Sequence, residues 1–149
     1  MLALWAEMNV VVADEFRDGN VPAHQELLPI AQRAFQALPE TVREFYWRGD
    51  SACQEQSLLA WLRDEQRPQG PQGFVGFAVS ARMNAALHAE IVATVEARWQ
   101  PYSEASRAIK ECAEVDYVPA ESVGPRDREP LRYVAFARSN RRYLPTAVR

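Results

Sequence analysis

Apolar and polar positions alternate along this chain in blocks of different period. "LALWAE" and "NVVVADEF" carry the apolar, β-branched character of strands. Their join at Met8-Asn9 is short enough for a hairpin. "RDGNVPA" is turn chemistry, with Asp18-Gly19-Asn20 at its centre. From His24 to Leu38 the period changes: Leu27, Ala31, Ala34 and Leu38, with Leu28 and Phe35, recur at helical spacing. Pro29 falls early in that helix, where it marks the first turn or kinks it, and Pro39 ends it. "FYWRGD" is a short aromatic strand running into a helix over about Ser51 to Gln66. That helix opens on Ser51-x-x-Gln54, the form of a capping box, and buries Leu58, Leu59, Trp61 and Leu62. "RPQGPQG" follows as a proline- and glycine-rich loop with freedom to move.

"FVGFAVS" is a continuous apolar run of strand length, as expected where both faces of a sheet are covered. Asn84 can cap a further helix with Leu87, Ile91 and Val95 as its stripe. After Trp99 the helical period disappears. "AEVDYVP" and "LRYVAFARS" look like a closing pair of strands around the turn-rich "AESVGPRDREP". The order β-β-α-β-α-β-α-β-β predicts an α/β sheet flanked by helices, with an antiparallel pair appended.

The chain's 149 residues, 48% hydrophobic and 25% charged, suit a globular domain with a real core. No apolar run approaches the ~20 residues of a membrane span. The start lacks a basic region and a small-residue cleavage site, so it does not read as a signal peptide. Cys53 and Cys112 form no CxxC, and His24 and His88 stand apart, which argues against a Cys/His zinc site. Reduced thiols and a cytoplasmic location are the expectation.

The net charge of −3 hides an asymmetry: residues 1–125 hold 18 acidic and 10 basic side chains. Residues 126–149 hold seven arginines against Asp127 and Glu129. Such an end can hold phosphates or can be a solvated terminus. The chain as a whole is too acidic to bind nucleic acid strongly by itself.

The stretch "FYWRGDSACQEQSLLAWL" carries the sharpest chemistry. It sets Asp50 at the carboxyl end of an apolar strand and at the start of a helix, the position where open α/β sheets gather their chemistry. Unpaired N–H groups and the helix dipole favour an ionised carboxylate there. Such a carboxylate can ligate Mg²⁺, which takes oxygen donors, or it can simply cap the helix. Arg48 and Arg82 flank the same rim. They can contact DNA phosphates, or Arg48 can pair with a nearby acid or cover the sheet with its stem. Trp47 and Trp61 are expected in the core, and His88 on the surface. Cys53, in a first helical turn, has a position that can acidify a thiol.

Several stretches in order resemble the DDE transposases of bacterial insertion sequences. They are "EFRDGNVPA", "LLPIAQRAFQALPE", "WRGDSACQEQSLLAWL" with its R-x-DS core, "GFAVSARMNAALHAEI" with its AR-x-N turn, "WQPY" and "VDYVP…EPLRYVAFAR". The likeness covers nearly all of residues 1–140. It implies a partial ribonuclease-H-like mixed sheet over residues 1–98 and a β-rich insertion segment with an arginine-rich end over 99–149. It makes Asp50 the second acid of the D-D-E triad, a ligand of catalytic Mg²⁺, with transposon-end DNA as the family's partner and strand cleavage and transfer as its reaction.

The same resemblance puts the first aspartate on a central strand upstream of Met1 and the glutamate on a helix beyond residue 149. Asp14, Glu15, Asp18, Glu111, Glu114 and Glu129 do not take their place. It therefore implies a core shortened at both ends, inactive alone and binding metal weakly or not at all. Without the central strand, either the "LALWAE" and "FYWRG" strands pair directly, or an open edge invites self-association. The alternative function is a non-enzymatic α/β module that pairs with a full-length transposase.

Overall fold

A computed structural model describes residues 1–16, 18–20, 22, 26–103, 109–119 and 131–139. The chain is α/β and divides into two compact units, Met1–Arg82 and Met83–Arg149. No helix among the described residues is long and apolar enough to cross a membrane.

In the first unit, β1 (Leu2–Trp5) and β2 (Val10–Asp14) form the expected antiparallel hairpin. Asn9 takes the left-handed conformation at its turn, one that asparagine tolerates better than most residues. A register shift between Ala3 and Leu4 leaves Val12 as the extra residue, and Val12 packs with Ala3 and Ala13 toward the core. Helix α1 (Leu27–Gln36) buries Leu27, Ile30, Ala31, Ala34 and Phe35 along one stripe. The sequence reading starts this helix at His24, but residues 23–25 lie outside the described residues. Pro29 sits in the first turn, where its missing N–H has no helical partner to lose. The N–H of Leu27 donates instead to Oε2 of Glu55 at 2.8 Å.

β3 (Tyr46–Gly49) runs parallel to β4 (Gly76–Val79), with Tyr46 opposite Gly76 and Trp47 opposite Phe77. Between them the expected long helix is interrupted. Ser51–Cys53 is a single 3-10 turn, and α2 spans only Gln56–Arg63. No capping box forms at Ser51 and Gln54. Asp50 caps the turn, and Oε1 of Gln54 accepts from the backbone N–H of Arg82 at 2.5 Å. Leu58, Leu59, Trp61 and Leu62 are buried as the apolar pattern predicts. Leu27, Ala31, Phe35, Leu58, Trp61, Leu62 and Val75 form the main core, with Trp47 and Phe77 packed against it.

The "RPQGPQG" loop is held rather than free. Trp61 Nε1 donates to the carbonyl of Pro68 at 2.6 Å, Gly73 N to that of Glu65 at 2.8 Å, and Gln72 Nε2 to that of Arg67 at 2.8 Å. Gly70 lets the loop lie flat on the Trp61 ring, since an added Cβ would come within 2.4 Å of it. β4 is not covered on both faces as expected: Ala78 is exposed.

The sheet differs from the expected continuous mixed sheet. β1 pairs only with β2, and β3 only with β4. The two pairs do not join, so direct pairing of β1 with β3, one of the two alternatives, does not occur. α1 packs against both pairs, with Ile30 and Ala34 in one cluster with Ala3 of β1 and Trp47 of β3.

In the second unit, Asn84 caps α3 (Ala85–Ala93) as expected, accepting from Leu87 N at 2.8 Å. Only Leu87 of the expected stripe is buried, and Val95 falls beyond the helix end. Three antiparallel strands follow, β5 (Gln100–Ser103), β6 (Ile109–Val115) and β7 (Tyr133–Ser139), in the order β5-β6-β7. The apolar pattern does not mark β5, which lies at "WQPY" in the segment the resemblance makes β-rich, and β6 begins earlier than "AEVDYVP". Tyr117 packs edge-on against Tyr133, its ring centroid 4.9 Å away, and its hydroxyl accepts from Asn84 Nδ2 at 2.9 Å.

Arg98 grips Asp116 with two hydrogen bonds, and Arg132 grips Glu114 likewise. These bonds, and then the arginine charges, hold both carboxyls below the usual carboxylate range. A lowered folded pKa means that the pairs contribute fully above the unfolded carboxylate values and lose their contribution as pH falls through the folded ones. Near-ultraviolet dichroism of the Tyr117–Tyr133 pair is expected to be flat from pH 8 to about 5 and to weaken below about pH 4. Added salt should shrink the effect, because both pairs are exposed.

Candidate functional site

Asp50 follows β3 directly, and its side chain is exposed. Its Oδ1 accepts from Ala52 N at 2.9 Å, closing the 3-10 turn, while the Asp50 carbonyl accepts from Cys53 N at 3.0 Å. The turn packs so tightly on the strand end that a Cβ at Gly49 would lie 2.5 Å from Cβ and Sγ of Cys53. Glycine is needed there for close approach. Of the two roles the sequence leaves open, the cap is formed, and the carboxylate is also exposed to solvent.

The arginines separate. The Nε of Arg82 donates to the Ser51 carbonyl at 3.1 Å, so this side chain braces the turn beside Asp50. Arg48 is exposed on β3 and forms no ion pair among the described residues. Of the arginine-rich end, Arg132 is occupied by Glu114, the side chain of Arg138 is not described, and Arg126, Arg128, Arg141, Arg142 and Arg149 lie outside the described residues.

The Cys53 thiol departs from the sequence reading. It lies in the 3-10 turn, not in a helical first turn. Burial pushes its pKa up, the charges of Asp50 and Glu55 push it further, and only a hydrogen bond with the Asp50 backbone opposes them. The site therefore makes this thiol a weaker acid than usual, not a stronger one.

Asp50 stands at the rim of a cleft of about 800 Å³. One wall is β1, residues 1–6. The other is β3 with the turn after it, from Tyr46 to Cys53. The floor is α1, through Leu27, Ile30, Ala34 and Phe35. Asp18 and Glu7 line the cleft too, so three acids line it, with Arg48 the basic side chain among the described residues that do. The sequence marks Asp18 as a turn former but carries no signal that the fold brings it toward Asp50. Asp14 and Glu15 are not among the residues that line the cleft, as expected: Asp14 ends β2, and Glu15 after it pairs with Arg33 at 3.6 Å.

Trp47 walls the cleft, and its indole N–H is buried without an acceptor among the described residues. His88 is exposed.

The resemblance implies Mg²⁺ at this rim. The ion requires an octahedron of oxygens, usually with more than one anionic ligand at a two-metal centre. Asp50 supplies one carboxylate, with one oxygen already accepting from Ala52. Among the described residues no group of three His, Cys, Asp or Glu side chains is placed to hold a metal ion. Comparison with protein-family models, with curated proteins and with solved structures found no match.

Proposed function

We propose that the chain is part of a DDE transposase core, in which Asp50 is a metal-ligating carboxylate and the described residues bring no other acids of the triad beside it. One observation carries this reading: an exposed carboxylate at the carboxyl end of a parallel strand opens onto a cleft walled by two unjoined sheet edges. A ribonuclease-H-like core has that arrangement around its central strand, and the collinear motifs agree with it. Arg48, exposed and unpaired beside Asp50, is the side chain available to a DNA phosphate; Arg82 is committed to the turn. Two free thiols suit a reducing, cytoplasmic setting.

The reading has two consequences. Alone, the chain does not cleave or join DNA, because one carboxylate cannot fix two hard cations. In the assembled family enzyme, residues 45–53 orient Asp50 through the Gly49 close approach and the Ala52 hydrogen bond.

The DNA flanking this reading frame tests the proposal. The expected result is coding remnants for an aspartate-bearing apolar strand on the upstream side and a glutamate-bearing helix on the downstream side, enclosed by inverted repeats. Flanks with neither remnant and no repeats would sink it. At the bench, supercoiled plasmid incubated with the chain and Mg²⁺ or Mn²⁺ should remain uncut. Nicking abolished by Asp50→Asn would show a complete active centre and refute the claim that this one is incomplete.

A further inference from the structure

We infer that Gln54 and Arg82 are positioning residues for Asp50: together they strap the turn that carries the carboxylate to the exit of β4. The turn's own bonds are short in range. Asp50 Oδ1 accepts from Ala52 N, and the Asp50 carbonyl accepts from Cys53 N. These bonds shape the turn but do not set where it points. Its direction comes from residues 80–82, far along the chain. Ser80 N donates to the Gly49 carbonyl at 3.1 Å, and Arg82 Nε donates to the Ser51 carbonyl at 3.1 Å. The carbonyls on either side of Asp50 are therefore both held from the β4 exit.

Gln54 closes the strap from the other direction, its Oε1 accepting from Arg82 N at 2.5 Å. Each side chain bonds to the other's segment, so the turn cannot swing away from residues 80–82 without breaking both bonds. The Ser80 bond continues the ladder of β3 and β4, which backbone alone provides. Gln54 and Arg82 are the part that depends on side-chain identity. Gly49 works with them: it lets Cys53 lie close on the strand end, and the strap keeps the turn there.

Orientation matters because a carboxylate serves a reacting group only within a narrow geometry, and a misplacement of about 1 Å can cost ~10²-fold in rate. Arg82 thereby has a role that needs no DNA contact, since its Nε is spent on the protein and it acts through Asp50. What Asp50 ligates rests on the transposase reading; how its turn is held does not.

The test follows the Ala52 amide by nuclear magnetic resonance in the intact chain, with neither metal nor DNA. An amide proton that donates to a carboxylate shifts when the carboxyl is protonated, so the Ala52 resonance should move as acid is added. In a double variant, Gln54→Met with Arg82→Met, that movement should shrink. Exchange of the Ala52 amide should also quicken about fivefold, as expected for losing exposed bonds of modest net worth. The Trp61 indole N–H, held by the Pro68 carbonyl in a bond that involves no residue of the turn, should keep its resonance. Gln54→Glu retains the accepting oxygen and should keep the parent's exchange rate at neutral pH. Unchanged Ala52 behaviour in the double variant would overturn the inference, and so would an equal loss in Gln54→Glu. A Trp61 resonance that moves along with Ala52 would overturn it too, because the two side chains would then serve the fold at large. Each of these results leaves the flanking-DNA test of the transposase reading as it stands, and flanks without remnants or repeats would remove that reading while the strap remained.

Discussion

Replacing Arg67 by methionine should cost the Met1–Arg82 unit about 3–5 kcal/mol, measured as a lower urea midpoint at unchanged slope. Arg67 is 1% exposed, yet no carboxylate pairs with it. Its charge is dispersed into backbone carbonyls: Nε donates to Trp61 at 3.0 Å, Nη2 to Leu62 at 3.0 Å, and Nη1 to Pro71. Trp61 and Leu62 belong to the last turn of α2, where the Trp61 carbonyl also accepts from Asp64 N at 3.2 Å and the dipole favours a cation. The guanidinium also lies 5.6 Å from the centroid of the Trp61 ring.

Desolvation pushes the Arg67 pKa down, against the opposing pull of Asp64 and Glu65, but arginine remains charged throughout the neutral range. Methionine would keep much of the stem's volume and remove every donor, leaving two buried carbonyls and the part-buried one of Pro71 without this partner. Lysine should recover less than half of the loss, because a single ammonium cannot reproduce a planar fork. A loss below about 1 kcal/mol for Arg67→Met would show that water replaces these bonds readily, and the loop's attachment would then need another cause.

Arg67 also shows where sequence reading stops. In "RPQGPQG" it looks like any loop arginine, since burial of a charge through backbone acceptors leaves no periodic trace. The elements themselves were legible because apolar period is a local signal: the hairpin, α1, β3, the four buried residues of α2 and the Asn84 cap all follow from it. The Ser51–Gln54 capping box failed for a nonlocal reason. Gln54 is drawn to the backbone of Arg82, 28 residues away, and Glu55 to Leu27, so the helix restarts at Gln56. β5 was missed because "QPYS" has neither alternation nor β-branched residues, and pairing with β6 decides it.

At the candidate site the exposed acid at the strand end was readable from one junction of patterns. The cleft was not readable from periodicity, because it is a property of two edges that fail to meet. The motif order had suggested a break at that place, with direct pairing or an open edge as its outcomes. The open edge is what the strand pairings give. Cys53 goes the other way: a first-turn position suggests acidity, but burial of the thiol, and then the charges of Asp50 and Glu55, raise its pKa.

Phe35→Ala should be the other severe substitution, lowering stability by about 3–5 kcal/mol. Its ring is the meeting point of three elements of the first unit. Its centroid lies 5.9 Å from those of Phe45 and Trp47 and 5.7 Å from that of Trp61. Through these contacts α1 is fastened to β3 on one side and to α2 on the other, and the same ring forms part of the cleft floor. Alanine removes the dispersion contacts of a whole ring and opens a cavity that rigid neighbours on β3 and α2 can fill only in part. Phe35→Leu keeps much of that volume and should lose roughly half as much.

The readout separates global from local damage. Near-ultraviolet dichroism of Trp47 and Trp61 should fall in the alanine variant well before the far-ultraviolet helix signal does. Exchange at residues 46–49 should accelerate with it, because β3 then keeps only β4 and the packing of Trp47 on the remaining apolar residues of the core. If β3 kept its protection after the ring was removed, the parallel pairing with β4 would be sufficient to hold Asp50 in place. The packing of α1 would then have no part in presenting that carboxylate.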